Sequence, residues 1–275
     1  MTTSIFSKFD MTGKTAVITG AAGLLGRQFC LALAQAGANI VMADLASDIA
    51  AENAAEFKNM GFNAIPVKVD VSDPSSVKLM VNQALAAFGS VDVLINSAAL
   101  DPKFDSANVS TQDFNDFETY SLNSWKKALD VNLTGMFLAS QAAVVPMLEQ
   151  RQGVIVNICS TYGLVGPDQR LYERPDSTRQ FKPVYYSVTK AGVLGFTRYL
   201  ATYYAGKNIR VNALTPGGVF NNHDEIFTAQ YSSRTVLGRM ANLEEMNAAM
   251  LFLCSDASSY MTGSNLVVDG GWTAW

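Results

Sequence analysis

Histidine is nearly missing from this chain: its 275 residues include one, His223, with three cysteines and eight prolines. A multi-histidine metal site is excluded, and a Ser-His-Asp hydrolase would have to be built on that one imidazole. Cys30, Cys159 and Cys254 fall in apolar helical or strand-like patterns with no CxxC spacing, which points to reduced thiols in a cytoplasmic protein. Charge is scarce as well. Charged residues make up 16% against 49% hydrophobic, with a net charge of -4, so neither nucleic acid nor an anionic membrane is expected to be held by bulk charge. No uncharged run reaches the roughly 18 apolar residues of a membrane span, and Lys8 and Asp10 are followed by no apolar secretion segment. A small molecule becomes the expected partner.

What is present is an alternation. Short β-branched runs and helical segments succeed one another, the pattern of βαβ units on a parallel sheet. Strands are predicted at 15–19, 38–43, 63–69, 91–96, 153–158, 208–214 and 265–268. Several are apolar without a break, as strands covered on both faces should be. Seven parallel strands predict a Rossmann-type, doubly wound α/β/α fold, and no linker divides residues 1–275 into more than one domain. Helix punctuation agrees: Leu25, Phe29 and Leu33 repeat at i, i+4, Gly37 follows as a stop, and Asp73-Pro74 forms an N-cap and N1 pair. Two segments break the rhythm after strand ends, 100–123 and 164–183. Insertions at that edge either shape a substrate pocket or are plain surface loops.

The first strand runs into Thr19-Gly20-Ala21-Ala22-Gly23-Leu24-Leu25-Gly26 and then a helix. Gly20, Gly23 and Gly26 would let backbone N–H groups approach a pyrophosphate, whose charge the helix N-terminus favours. Asp44 ends the second strand, 18 residues past Gly26, where an acid meets an adenosine ribose; the competing reading is that it caps the next helix. Leu45 and Ala46 follow, so no cation offsets the acid, and NAD is the expected cofactor. Asp70, after the third strand, either accepts from the adenine amino group or caps a helix.

Tyr186 and Lys190 lie four residues apart, one turn above the other on one helix face. The lysine ammonium can favour an ionised tyrosine, giving an acid–base pair beside the nucleotide. Tyr185, five positions from Lys190, would face elsewhere.

These ordered motifs resemble the classical short-chain dehydrogenases/reductases over essentially the whole chain. The glycine turn is similar to their TGxxxGxG, Asn96-Ser97-Ala98-Ala99 to their NNAG, and Asn157-Ile158-Cys159-Ser160 to their NxxS; Tyr-x-x-x-Lys, Pro216-Gly217 and Asp269-Gly270-Gly271 follow in order. The resemblance implies a catalytic tetrad of Asn132, Ser160, Tyr186 and Lys190. Ser160 would bond the substrate oxygen, Lys190 would hold the nicotinamide ribose, and Asn132, in a helix expected over 121–149, would seat a water leading to Lys190. Leu25, Val71, Asn96, Ala98, Pro216, Gly217 and Val219 join the glycines, Asp44, Asp70, Tyr186 and Lys190 as implied cofactor contacts. Gly218 is expected to serve turn geometry. There are departures: Leu24 replaces the middle glycine, Ser97 and Ala99 alter NNAG, Asn221 stands where a threonine is frequent, and Ser160 to Tyr186 spans 26 positions, longer than the family's usual interval. The 164–183 insertion must loop outward for the motif to survive.

The insertion carries Arg170, Arg174, Arg179 and Lys182 among Asp168, Glu173 and Asp176, so anion binding and internal ion pairing are both open. Its sequence and the closing Gly271-Trp272-Thr273-Ala274-Trp275 are similar to oxidoreductases of bacterial surface-sugar and flagellin-glycan biosynthesis, which implies a sugar-like substrate. Tyr162, Tyr172, Tyr185, Phe220 and His223 are candidate pocket walls. The resemblance also implies a homotetramer or dimer through helices 121–149 and 186–205, with Phe137, Val193, Phe196, Leu200 and Tyr203 as apolar surface. The reading is an NAD-dependent alcohol dehydrogenase or ketone reductase. An internally recycling sugar epimerase or dehydratase and a non-catalytic dinucleotide sensor are the alternatives.

Overall fold

The computed structural model describes residues 4–101, 116–173 and 180–275. Seven strands, β1 (Thr15–Thr19), β2 (Asn39–Asp44), β3 (Ala64–Lys68), β4 (Val93–Asn96), β5 (Gly153–Ile158), β6 (Ile209–Pro216) and β7 (Asn265–Val268), form one parallel sheet in the order β3-β2-β1-β4-β5-β6-β7. The helices are α1 (Leu24–Gln35), α2 (Ser47–Asn59), α3 (Pro74–Phe88), α4 (Leu122–Leu129), α5 (Gly135–Gln150), α6 (Val184–Tyr203), α7 (Glu225–Ser232) and α8 (Asn247–Cys254).

Successive strand residues enter opposite cores, which is why the central runs are apolar with little alternation. Ala16, Ile18, Ile40, Met42, Val93 and Ile95 pack under α1, α2 and α8, while Val17, Val41, Leu94 and Ile155 pack under α3, α5 and α6. Each fully buried chain of the size of Phe29, Leu33 or Ile155 contributes about 1.5–3 kcal/mol. Asp73 caps α3 as expected, its carboxylate accepting from Ser75 N at 2.8 Å with Pro74 in the first turn.

The strand order reverses between β1 and β4, and in open α/β sheets the crevice at that reversal is where ligands sit. Residues just past the carboxyl ends of β1, β2, β4, β5 and β6 therefore converge there.

The helix expected over 121–149 is not continuous. A π-helical turn, Asp130–Thr134, separates α4 from α5, with Gly135 N bonding to Asp130 O. The stretch Leu122–Gln150 is long and apolar enough to cross a membrane by composition, yet half of that window is buried, with α5 packed on the sheet and on α3. Val193 and Leu200, expected as spare surface, belong to the core; the exposed large apolar groups along α5 and α6 are Phe137, Val145, Leu148, Val188, Tyr199 and Tyr203.

Candidate active site

The glycine turn is built by contact. Gly20 has a φ of +70°, and a β-carbon on it would lie 2.8 Å from Ala98 Cα; one on Gly26 would lie 2.0 Å from Gly20 O. Gly23 N donates back to Gly20 O at 3.1 Å, and Gly23 precedes the first residue of α1. Leu24, in place of the middle glycine, is 38% exposed and lines the cleft beside the turn, which closes through the Gly20 and Gly26 backbone. Thr19 Oγ1 accepts from Ser97 N and Ala98 N at 3.2 and 3.3 Å, tying the end of β1 to the segment after β4.

Two adjoining clefts follow the sheet's carboxyl edge. One, about 750 Å³, is lined by Gly20, Gly23, Asp44, Asp70, Val71 and Ala98 among others. Asp44 is fixed at its rim: one carboxylate oxygen accepts from Ala22 N and the other from Ala46 N, both at 2.9 Å. Asp70 accepts from Ser72 N and Oγ, which holds its carboxyl below the ordinary carboxylate range. Neither acid caps a helix; Asp73 fills that role for α3 and Ala46 precedes α2. The second cleft, about 410 Å³, shares Gly20 and Gly23 and continues past Leu25, Gly26, Ser160, Tyr186, Lys190, Pro216, Gly217 and Val219.

In that half, Ser160 follows β5, and Tyr186 and Lys190 come from the first two turns of α6. Gly163 makes the approach of α6 possible, since a β-carbon there would lie 2.7 Å from the Lys190 carbonyl. Lys190 Nζ donates to Ile158 O at 2.8 Å and stands 5.7 Å from the centroid of the Tyr186 ring. Burial pushes the Tyr186 phenol well above its ordinary value, aided by the Asp101 carboxylate; a hydrogen bond with Ser160 pulls it the other way. Burial pushes the Lys190 ammonium down. Tyr185 packs on Tyr120, ring centroids 6.3 Å apart, and does not line the cleft.

Two asparagine side chains turn toward the core. The Asn132 side chain is engaged within the protein: its Oδ1 accepts from Leu100 N at 2.7 Å, and its Nδ2 donates to Leu100 O and Thr189 Oγ1, both at 3.2 Å. It grips the residue before Lys190 from behind. The Asn96 side chain is buried as well. Its Nδ2 donates to Asn157 Oδ1 and Ser140 Oγ, within a buried network that continues to Thr197. Both amides were drawn inward because the strand and helix that carry them are covered on that side.

The upper wall is aromatic. Tyr162, Tyr172, His223, Phe227 and Tyr231 line the cleft, whereas Phe220 does not. Tyr172 Oη donates to Tyr162 Oη at 3.3 Å, and burial pushes the Tyr162 phenol up to about 12. His223 stacks on Phe227 with centroids 5.0 Å apart. Tyr231 stacks on Trp272 at 4.4 Å and accepts from Gly218 N at 2.5 Å. Gly218 has an ordinary φ; it is small because a β-carbon would lie 2.6 Å from the Tyr231 ring, so its role is close approach rather than turn geometry. Tyr231 and Phe227 had no sequence signal beyond being aromatic, and Trp272 entered only through the likeness of the closing segment. In the insertion, Arg170 pairs with Asp168, while Arg174, Asp176 and Arg179 lie outside the described residues, as do 102–115 of the other insertion.

A family model described as enoyl-(acyl carrier protein) reductase matches residues 20–273. The chain belongs to the classical short-chain dehydrogenase/reductase family. Among curated relatives of this oxidoreductase, the 3-oxoacyl-[acyl-carrier-protein] reductase FabG of Thermotoga maritima is 32% identical over 265 residues, covering 95% of this chain and 98% of that one. The trans-4-hydroxycyclohexanecarboxylate dehydrogenase of Sinomonas cyclohexanicum is 37% identical over 268 residues, covering 95% and 93%. Among solved structures, a gluconate 5-dehydrogenase from Burkholderia cenocepacia in complex with NADP and tartrate superposes with a TM-score of 0.85 at 28% identity, covering 99% of this chain and 100% of that one.

The residues present fit the nicotinamide dinucleotide of this family. The glycine turn is a cradle that any β-carbon at Gly20 or Gly26 would fill, and the two clefts adjoin across it, with a fixed carboxylate at one end and the Tyr186 ring at the other.

Proposed function

We propose that this short-chain dehydrogenase/reductase is an NAD(H)-dependent enzyme interconverting a secondary alcohol and a ketone, with the whole chain acting as one catalytic domain. The observation that supports this best is the convergence of Ser160, Tyr186 and Lys190 in a cleft continuous with the glycine turn. The bound dinucleotide supplies the hydride acceptor or donor. Tyr186 removes the alcohol proton in oxidation and returns one in reduction, and Ser160 hydrogen-bonds the same oxygen as its charge changes. Lys190, pinned by Ile158 O beneath the ring, opposes the burial that keeps Tyr186 protonated. Asn132 is a positioning residue that fixes Thr189 and hence the next residue, Lys190.

Asp44 supports NAD over NADP, because a 2′-phosphate within ~4 Å of that anchored carboxylate meets roughly 4 kcal/mol of repulsion at an effective dielectric near 20. The substrate we propose is a small polyhydroxylated or acidic molecule such as a sugar derivative or hydroxy acid, in keeping with the gluconate and hydroxycyclohexanecarboxylate relatives. Exposed Phe137, Val145, Tyr199 and Tyr203 support a homotetramer or dimer, and three unbridged cysteines support a cytoplasmic location.

The test is NADH absorbance during incubation of the purified protein and NAD with sugars, sugar acids, hydroxycyclohexanecarboxylates, polyols and secondary alcohols, with Tyr186→Phe in parallel. Turnover lost by about 100-fold or more in the variant supports the reading. NADH formation that survives in Tyr186→Phe removes Tyr186 from the chemistry.

A further inference from the structure

Among the described cations of the 164–183 insertion, Lys182 turns inward. Arg170 stays on the surface with its side chain 73% exposed, donating to both carboxylate oxygens of Asp168. Lys182 is 12% exposed, and its ammonium stands 4.2 Å over the centroid of the Tyr186 ring, paired with the Asp101 carboxylate. The Lys182 backbone N–H donates to Gln169 Oε1 at 2.9 Å, which fixes the end of the insertion against its first half.

Among the described residues, the charged groups lining this half of the cleft are Asp101, Lys182 and Lys190. Lys190 is committed to Ile158 O. Lys182 is held by an anion that is itself 49% exposed, at the mouth of the cleft. A lysine ammonium is strongly hydrated, so turning it inward against an aromatic face is unfavourable without an anion beside it. Asp101 serves as that anion from the solvent side, and its carboxylate sits where a ligand carboxylate would reach the same ammonium. The flat walls of Tyr162, Tyr172 and Phe227 suit a ring or hydrocarbon body next to that charge.

We propose that Lys182 is a specificity-determining residue that receives a substrate carboxylate, exchanging Asp101 for it, so that the preferred substrates are hydroxy or oxo acids whose carboxylate lies a few bonds from the reacting carbon. This rests on the alcohol–ketone reading only for the place of that carbon, at Tyr186. The exchange moves no covalent bond. It replaces one ion pair by another and leaves Asp101 in water.

The test is calorimetric titration of cyclohexanecarboxylate and of its neutral carboxamide into the NAD-saturated full-length protein. Wild type should bind the acid at least about 10-fold more tightly than the amide, Lys182→Met should erase that preference, and Lys182→Arg should retain most of it. Asp101→Asn should tighten the acid alone. Equal affinity for acid and amide, a preference that survives in Lys182→Met, or no binding of the acid overturns the proposal. Unchanged thermal unfolding of Lys182→Met shows that a loss is local. Turnover of neutral secondary alcohols separates the two claims: if it is present while the acid preference is absent, this inference fails and the oxidoreductase reading stands. An acid preference with no turnover of any alcohol fails the oxidoreductase reading alone.

Discussion

Gly26 passes so close to Gly20 that a β-carbon on it would lie 2.0 Å from the Gly20 carbonyl oxygen. The start of α1 is thereby pressed against the end of β1, and the backbone between them is shaped for a ligand with many acceptor oxygens.

Gly26→Ala is therefore expected to destabilise the fold by about 3 kcal/mol, through overpacking against backbone that cannot move aside. NADH binding, followed by fluorescence titration, should weaken along with the fall in thermal midpoint. An alanine variant with wild-type stability and wild-type NADH affinity would show that the turn tolerates the extra carbon.

The two neighbouring tyrosines should separate cleanly. Tyr186 lines the cleft and Tyr185 packs on Tyr120, so Tyr186→Phe should lower kcat by about 100-fold or more while Tyr185→Phe changes it less than about 5-fold. Steady-state rates with NADH-binding controls decide this. A larger loss in Tyr185→Phe would move the acid–base role to the other face of α6.

Asp44 is held by Ala22 N and Ala46 N, so its charge cannot swing away from an incoming phosphate. Asp44→Ala should lower the ratio of kcat/KM for NAD to that for NADP by about 100-fold, and adding Leu45→Arg should lower it further. A ratio unmoved by Asp44→Ala would place cofactor selection elsewhere.

Asp168 lies between two guanidiniums. Hydrogen bonds from Arg170, then from Arg234 at 2.7 Å, hold its carboxyl well below the ordinary 3.8. Its contribution to stability is thus present above about pH 4 and is lost as the pH falls from there toward the lower folded-state value. Arg170 is 73% exposed, so that half is screened, and the Arg234 half should dominate. We expect Asp168→Asn to unfold about 3 °C below wild type at pH 7, with the gap closing below about pH 3. Scanning calorimetry across pH checks it; a gap that widens on acidification would reverse the sign of the linkage.

The sheet was readable because a strand covered on both faces is apolar along most of its length, and the inner runs of β1, β2, β4 and β5 are. That the glycines, Asp44, Ser160, Tyr186 and Lys190 gather along the two clefts was readable because each sits at a strand end or on a helix turn that follows one. What the side chains of Asn96 and Asn132 touch was not readable, for one reason. A polar side chain at a strand end or in a helix can turn either to the cleft or to the core, and spacing does not record which. The π-helical turn at Asp130–Thr134 likewise leaves no periodicity of its own.

By itself, the sequence determined the order of elements, the glycine cradle and the Tyr186–Lys190 helix face, since each depends on residues near one another in the chain. Tertiary structure alone decided that Lys182 lies over the Tyr186 ring while Arg170 faces solvent. It alone stacked Tyr231 on Trp272 and brought its hydroxyl to Gly218. Those pairs are distant in sequence or set by the path of a loop, and burial and ion pairing choose among orientations that local spacing leaves equal.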